Sequence, residues 1–300
     1  MARLSFAIPS GLGEDGGMFG RAFWAVVAVA VFPVRAEVGA DFAALEAKHG
    51  GRVGVAAVDT GSGRRVGHRA EEQFALCSTF KLLLGAAVLA RVDAGELSLD
   101  RRVAYGKGDL LSYAPVTTKH VAEGGMTVGD LCAATIQTSD NTAANLLLPL
   151  VGGPEGLTKF LRAQGDMITR LDRIEPDLNS NLPGDPRDTT TPAAMAATME
   201  KLLAGDVLSA GSREQLNRWL VGTTTGDARL RAGFPRAWRV GDKTGTGALG
   251  AANDVAIVWP RKGAKPWLVA VFSSVPDAKP EEREAVIAEA ARLVDRAFAP

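Results

Sequence analysis

Runs of β-type residues lie near both ends of this 300-residue chain, and helix-type segments fill the stretch between them. Arg52-Val-Gly-Val-Ala-Ala-Val-Asp59 and a second run around Val66 flank the turn Thr60-Gly61-Ser62-Gly63. At the far end, Trp238–Val240, Asp254–Trp259 and Trp267–Phe272 read as strands separated by Gly, Pro and Lys. Between them, helical stretches over Thr79–Val92, Val128–Val151, Glu155–Gln164 and Pro192–Leu203 alternate with loops rich in Gly, Pro and Asp. One further helix is expected over Asp41–Lys48, stopped by Gly50-Gly51. Another is expected from Glu281 to Phe298, with Val286, Ile287, Ala290, Leu293, Val294 and Phe298 on one stripe. Strands first and last with helices between predict one sheet built from both chain ends and an inserted helical domain. An active site is expected at the seam between the two parts, where clefts form.

Composition narrows the function classes. Lys plus Arg and Asp plus Glu both total 34, so there is no basic excess to hold a phosphate backbone, and no nucleic-acid partner is expected. Hydrophobic residues at 46% and charged residues at 23% exclude a disordered chain. Two cysteines and no CxxC exclude a disulfide framework and give no zinc or dithiol motif. His49, His68 and His120 are scattered without metal-ligand spacing, so neither a metal nor a cofactor is expected.

Near the start, the apolar run Phe23–Phe32 follows Arg21 and precedes Pro33-Val34-Arg35-Ala36. Its ten residues fall short of the roughly 20 a membrane-crossing helix needs. The basic flank, short apolar run and small exit residue predict a secretory signal peptide over 1–36 and an exported protein, periplasmic or secreted. Met18 is the more natural start, which would make residues 1–17 an artefact of start-codon choice. Three basic and two acidic groups leave with residues 1–36, so 31 and 32 remain.

Three short motifs carry chemistry. Ser78-Thr79-Phe80-Lys81 opens a strongly apolar helix, and its i,i+3 spacing puts Lys81 on the face of Ser78. A match to Ser-x-x-Lys arises about once by chance in such a chain. A helix start, however, offers N–H groups and a positive dipole end to an oxyanion, and a nearby lysine can take the serine proton. Ser139-Asp140-Asn141 lies in the second strong helical segment, and Lys243-Thr244-Gly245 ends a strand-like run before the turn Thr246-Gly247. The latter fails as a phosphate loop, because no Gly-x-x-x-x-Gly precedes the lysine. No Gly-x-Ser-x-Gly is present either, which removes the α/β-hydrolase reading.

The ordered set resembles the serine penicillin-recognising enzymes. Arg173-Ile-Glu175-Pro-Asp-Leu-Asn179, followed by Arg187-Asp188-Thr-Thr-Thr-Pro192, narrows it: this is similar to the omega loop of class A β-lactamases. The resemblance spans 38–300 and includes Tyr113-Ala-Pro-Val-Thr and Thr223-Thr224-Thr225-Gly226-Asp227. It implies an α+β fold (an α/β sandwich): an antiparallel five-stranded sheet with terminal helices packed on it, plus an inserted all-α domain. The domains would be 37–77 with 221–300, and 78–220.

By the same resemblance Ser78 is the nucleophile, Lys81 and Glu175 handle its proton, Ser139 protonates the leaving nitrogen, and Glu175 with Asn179 holds the hydrolytic water. Arg173 and Asp188 would close the loop base. Lys243, Thr244, Thr246 and Arg229 would bind the substrate carboxylate, Asn141 the acylamino side chain, and Tyr113 would flank the cleft. Arg229 is the candidate cation because Ala251–Trp259 contains no arginine. Whether Lys81 or Glu175 is the acylation base stays open. Cys77 and Cys132 would find Gly247 and Gly85 where relatives place a second cysteine, so two buried thiols are expected. The implied function is hydrolysis of penicillins and cephalosporins by a monomer with no membrane attachment after signal cleavage, and clavulanate sensitivity. A D-Ala-D-Ala carboxypeptidase, a penicillin-sensing module and a non-catalytic structural protein are the alternatives; Glu175-Pro-Asp-Leu-Asn179 speaks against the first.

Overall fold

The structure, a computed structural model, describes residues 36–299. The expected signal peptide therefore lies, apart from Ala36, outside the described residues. Five strands form one antiparallel sheet: β1 (Arg52–Asp59), β2 (Arg65–His68), β3 (Arg239–Thr246), β4 (Ala251–Trp259) and β5 (Trp267–Ser274), in the order β2-β1-β5-β4-β3. The register pairs Ala56 with Ala270, Ala256 with Val269, and Lys243 with Val255.

Both faces of this sheet are covered, which is why Val53–Val58 of β1 and Trp267–Phe272 of β5 are continuously apolar rather than alternating. Val53, Val55, Ala57, Val269 and Val271 face one core with Phe42 and Leu45 of the first helix, α1 (Ala36–His49). The closing helix (Pro280–Phe298) adds Val286, Ile287, Leu293, Val294 and Phe298 to that core, the stripe expected from the sequence. Pro280 sits in its first turn and Glu282 accepts from the Lys279 N–H at 2.7 Å, which fixes its start. Each such large side chain, fully buried, contributes about 1.5–3 kcal/mol.

Ala56, Val58, Leu268, Ala270 and Phe272 point the other way, into the core shared with the helical segments. There Gly54 has no room for a side chain, since a Cβ would lie 2.4 Å from the Phe74 ring. The centre of this layer is α2 (Phe80–Asp93), buried without interruption from Phe80 to Leu89, as expected of a helix apolar all round.

Two helices and one strand depart from the sequence reading. The segment expected as one helix over Val128–Val151 is broken into α3 (Val128–Gln137), α4 (Asn141–Leu147) and a 3-10 turn, Leu148–Val151. Ser139 takes a left-handed φ of 59°, and the Asp140 carboxylate restarts the helix by accepting from the Ala143 N–H at 2.9 Å. In the stretch Pro192–Leu203, α-helical bonding ends at Met199 and widens into a π turn over Glu200–Ala204, closed by Gly205 N–H to Glu200 O. Finally, the strand holding Lys243-Thr244-Gly245 does not end there but runs on to Thr246 in register with β4.

Candidate active site

Ser78 lies in a 3-10 turn, Cys77–Thr79, that feeds directly into α2. The preceding Cys77 is held at a φ of 44°, an uncommon conformation for a residue with a side chain. Asn253 of β4 fixes this entry, its Nδ2 donating to Ala75 O at 2.8 Å and Leu76 O at 3.2 Å, while Thr79 Oγ1 donates to Leu76 O. One helical turn after Ser78, Lys81 has no exposed surface.

Around Lys81 Nζ the predicted residues converge. Ser78 Oγ lies at 3.1 Å, Glu175 Oε1 at 2.9 Å, Asn141 Oδ1 at 2.6 Å, Ser139 O at 2.8 Å and Ser139 Oγ at 3.3 Å. Ser78 Oγ in turn donates to Glu175 Oε1 at 3.1 Å. Burial pushes the Lys81 pKa below the usual lysine value, against the opposing pull of the Glu175 charge. On the other side of Ser139, Lys243 Nζ donates to its Oγ at 3.0 Å. Burial, and after it the charge of Lys81, pushes Lys243 well below its ordinary value. With Ser139 in this left-handed turn, its one hydroxyl lies between the two lysine Nζ atoms.

Glu175 is held from three sides. Its backbone is bracketed by Asn145, whose Oδ1 accepts from Glu175 N at 3.0 Å and whose Nδ2 donates to Glu175 O at 2.8 Å. Its second carboxylate oxygen accepts from Asn179 Nδ2 at 2.6 Å. The segment bearing it is closed at its base, where Asp188 accepts from the backbone of Asp172 and Arg173 at 2.7 and 2.9 Å and pairs with the Arg173 guanidinium. A hollow lined by Pro176, Asp177, Asn179, Thr246 and Gly247 opens beside this segment.

Arg229 is buried rather than solvated. Nη1 donates to Gly245 O and Asn253 O, both at 2.8 Å, and Nη2 to Thr246 Oγ1 at 2.7 Å, which puts its cation at the end of β3. Thr244 Oγ1 meets Thr225 Oγ1 at 2.6 Å. Tyr113 is half exposed, and its carbonyl accepts from the Asn141 N–H at 3.0 Å. Thus the structure gathers all eleven predicted residues along one seam between β3, α2, the Ser139 turn and the loop at Glu175.

Three supports went unassigned in the sequence. Asn145 and Asn253 hold the positions of Glu175 and Ser78. Asp140 accepts from Val116 N and Thr117 N, both at 2.9 Å, tying the Tyr113 segment to Ser139. The only available signal was polarity inside otherwise apolar elements. Both cysteines are buried and unpaired. Burial pushes the Cys77 thiol up to about 12, and the nearby Glu175 charge acts in the same direction. Each histidine stands near a glutamate, His49 by Glu289, His68 by Glu46 and His120 by Glu123. Among the described residues, however, no group of three or more His, Cys, Asp or Glu could hold a metal ion.

A sequence profile of the β-lactamase enzyme family matches residues 37–298. Over 256 residues the chain is 53% identical to β-lactamase L2 of Stenotrophomonas maltophilia, covering 85% of this chain and 84% of that one. The chain belongs to the class A β-lactamases. It is also 52% identical over 253 residues to the carbapenem-hydrolysing β-lactamase KPC of Klebsiella oxytoca, covering 84% and 86% of the two chains. Among solved structures, the class A β-lactamase of the last common ancestor of Gram-negative bacteria superposes with a TM-score of 0.86 at 60% identity, covering 88% of this chain and all of that one. The α+β fold read from the sequence is the class A fold, and the chain is a serine β-lactamase that hydrolyses β-lactams and so confers antibiotic resistance. Membership removes the carboxypeptidase, sensor and structural-protein alternatives.

Proposed function

We propose that this class A enzyme opens the ring of penicillins and cephalosporins through an acyl-enzyme on Ser78, and that Glu175 activates the water that releases it. The observation that carries the reading is the contact of Glu175 Oε1 with Ser78 Oγ at 3.1 Å, in the same buried cluster as Lys81. Ser78 Oγ attacks the ring carbonyl and gives its proton to Lys81 or to Glu175, directly or through a water. Both groups stand within reach of Oγ, and a lysine with a depressed pKa is suited to accept a proton. The backbone N–H groups of Ser78 and Thr246 hold the developing oxyanion, at about 3–4 kcal/mol per donor.

As the ring C–N bond breaks, Ser139 Oγ delivers a proton to the nitrogen, which cannot leave as a bare anion; Lys81 and Lys243 are positioned to resupply it. Lys243, Thr244, Thr246 and Arg229 bind the substrate carboxylate, Asn141 the acylamino group, and Tyr113 flanks the cleft. Water, oriented by Glu175 and Asn179, then attacks the ester. Without that base the ester would persist.

Penicillins and early cephalosporins are the substrates we assign, because Gly247 stands where a cysteine would be needed to tie to Cys77 in the manner of carbapenem-hydrolysing relatives. The reading includes a monomer and a cleft between an α/β domain (37–77 and 221–300) and an all-α domain (78–220). It also includes export, periplasmic or secreted, which rests on the apolar run Phe23–Phe32. Among the described residues no helix is long and apolar enough to cross a membrane. Mixing the protein with benzylpenicillin while following ring opening and intact mass tests the reading. Rapid turnover without a lasting adduct is expected; a stable adduct without turnover would overturn the role given to Glu175.

A further inference from the structure

Two carboxylates behind the substrate pocket have no part in the mechanism above. Asp242 of β3 and Asp254 of β4 are both completely buried. The register pairs Asp242 with Ala256 and Thr244 with Asp254, so the two acids are diagonal neighbours on one face of the sheet, and the charge of Asp242 acts on Asp254. One oxygen of each is satisfied. Asp242 Oδ1 accepts from Arg231 Nε, and Asp254 Oδ2 accepts from the Leu230 N–H at 3.0 Å. The others, Asp242 Oδ2 and Asp254 Oδ1, are buried with no hydrogen-bond partner. Charges close enough to act on the pair are Arg229, Arg231, Lys243 and Asp227.

Two ionised carboxylates here would leave two bare oxygens in the interior, each disfavouring the other's charge. One proton satisfies both. We propose that Asp242 and Asp254 share a single proton, with Asp254 Oδ1–H donating to Asp242 Oδ2, and that this dyad positions Arg229 at the substrate pocket. Asp242 is the ionised member because the Arg231 guanidinium lies on it. Burial, and after it the charge of Asp242, pushes the Asp254 carboxyl well above the usual carboxylate range, in keeping with that assignment.

The positioning follows from the chain. Leu230 and Arg231 come directly after Arg229, and the dyad grips one by its N–H and the other by its side chain. The approach to Arg229 also packs on it: a Cβ at Gly226 would lie 1.9 Å from Asp242 Oδ2, so only glycine fits there. Arg229 is therefore aimed at Thr246 by a segment clamped to β3 and β4 at its next two residues. This second half rests on the reading of Arg229 as part of the carboxylate subsite; the shared proton does not.

Native charge measurement at pH 7 tests the proton. Asp254→Asn replaces the O–H donor by an amide N–H, so the variant should migrate in capillary electrophoresis like the wild type and lose a protonated-carboxyl band from the infrared spectrum. A mobility shift of one positive charge with no band lost would overturn the proposal. Positioning is tested by steady-state kinetics on benzylpenicillin. Asp254→Ala should raise KM about tenfold with kcat within about threefold, and Asp254→Asn should restore KM to within about twofold. A fall in kcat at unchanged KM in Asp254→Ala would overturn the positioning role. Should the wild type itself fail to turn over penicillin, the functional reading fails, while electrophoresis and infrared still decide the shared proton.

Discussion

Replacing Glu175 by glutamine should separate the two proposed halves of the reaction. The amide keeps the shape of the side chain but removes the charge 2.9 Å from Lys81 Nζ and the base that faces Ser78 Oγ at 3.1 Å. Removing one partner of a buried pair ordinarily costs about 3–5 kcal/mol, because the other charge is left uncompensated. Here burial already pushes Lys81 below its usual pKa, and Glu175 is the main group pulling it back up, so its loss lowers the Lys81 pKa further. With Lys81 holding its charge less tightly, the stability loss should stay below that range, and Lys81 remains within reach of the serine proton. Deacylation has no such substitute. A positioned general base contributes about 10²–10⁴ in rate, so a thousandfold slowing, about 4 kcal/mol of barrier, is the expected scale. Rapid mixing with a chromogenic cephalosporin should give a burst of one equivalent followed by turnover slowed about a thousandfold. Intact mass should show the adduct on the peptide holding Ser78. Steady turnover within about tenfold of wild type would refute Glu175 as the deacylating base. A missing burst would refute Lys81 as a sufficient acylation base.

Asp188→Ala removes the acceptor for two backbone N–H groups and the partner of Arg173, so it should cost about 3 kcal/mol in thermal or urea unfolding and lower kcat more than it slows formation of the adduct. Both thiols should resist a disulfide reagent in the native protein at pH 8 and react together on denaturation; reaction of either without unfolding would contradict the burial of Cys77 and Cys132. Burial raises Asp172, but hydrogen bonds from Arg170 and the Asp188 N–H outweigh it, and Arg187 holds Asp185 down at about 2. Folded values below the unfolded value of about 3.9 mean stability that is present above that pH and lost as pH falls through the lowered values. Protection of the amides in 170–188, relative to their intrinsic exchange rate at each pH, should therefore fall between pH 4 and pH 2, and constant protection there would count against these pairs.

The residues proposed to react were legible in the sequence because their spacing is covalent. Ser78 and Lys81 are fixed one turn apart, and Lys243, Thr244 and Thr246 lie on one strand, so their chemistry survives without knowledge of the fold. What supports them was not legible. Asn145 reads as a polar residue in an apolar helix until the Glu175 segment is laid across it, and Asn253 as a misplaced amide in a buried strand until the Ser78 turn is docked beneath it. The break at Ser139 was missed for a related reason. Local propensity favours one long helix, whereas the Asp140 carboxylate, satisfied by Val116, Thr117 and Ala143, makes a left-handed turn worth its strain. The motif spacing singles out Arg229 along the chain, but its partners Gly245 O, Asn253 O and Thr246 Oγ1 come together only in the β3–β4 register.

The position of β1 in the sheet sets a condition on time as well as space. β1 lies between β2 and β5, and its partners run from Arg52 against Ser274 to Asp59 against Trp267, more than 200 residues apart along the chain. Pairings of such separation are slow to form, since loop closure comes before any contact repays it. A nascent chain that has already exposed Ser78, Lys81, Ser139, Glu175 and Lys243 thus holds every group proposed to react yet has no finished sheet to hold them in place. Activity arrives with the last strand and the closing helix, which contain none of these groups. A chain ending before Trp267 should be inert and protease-sensitive, because β1 would then have no β5 to pair with.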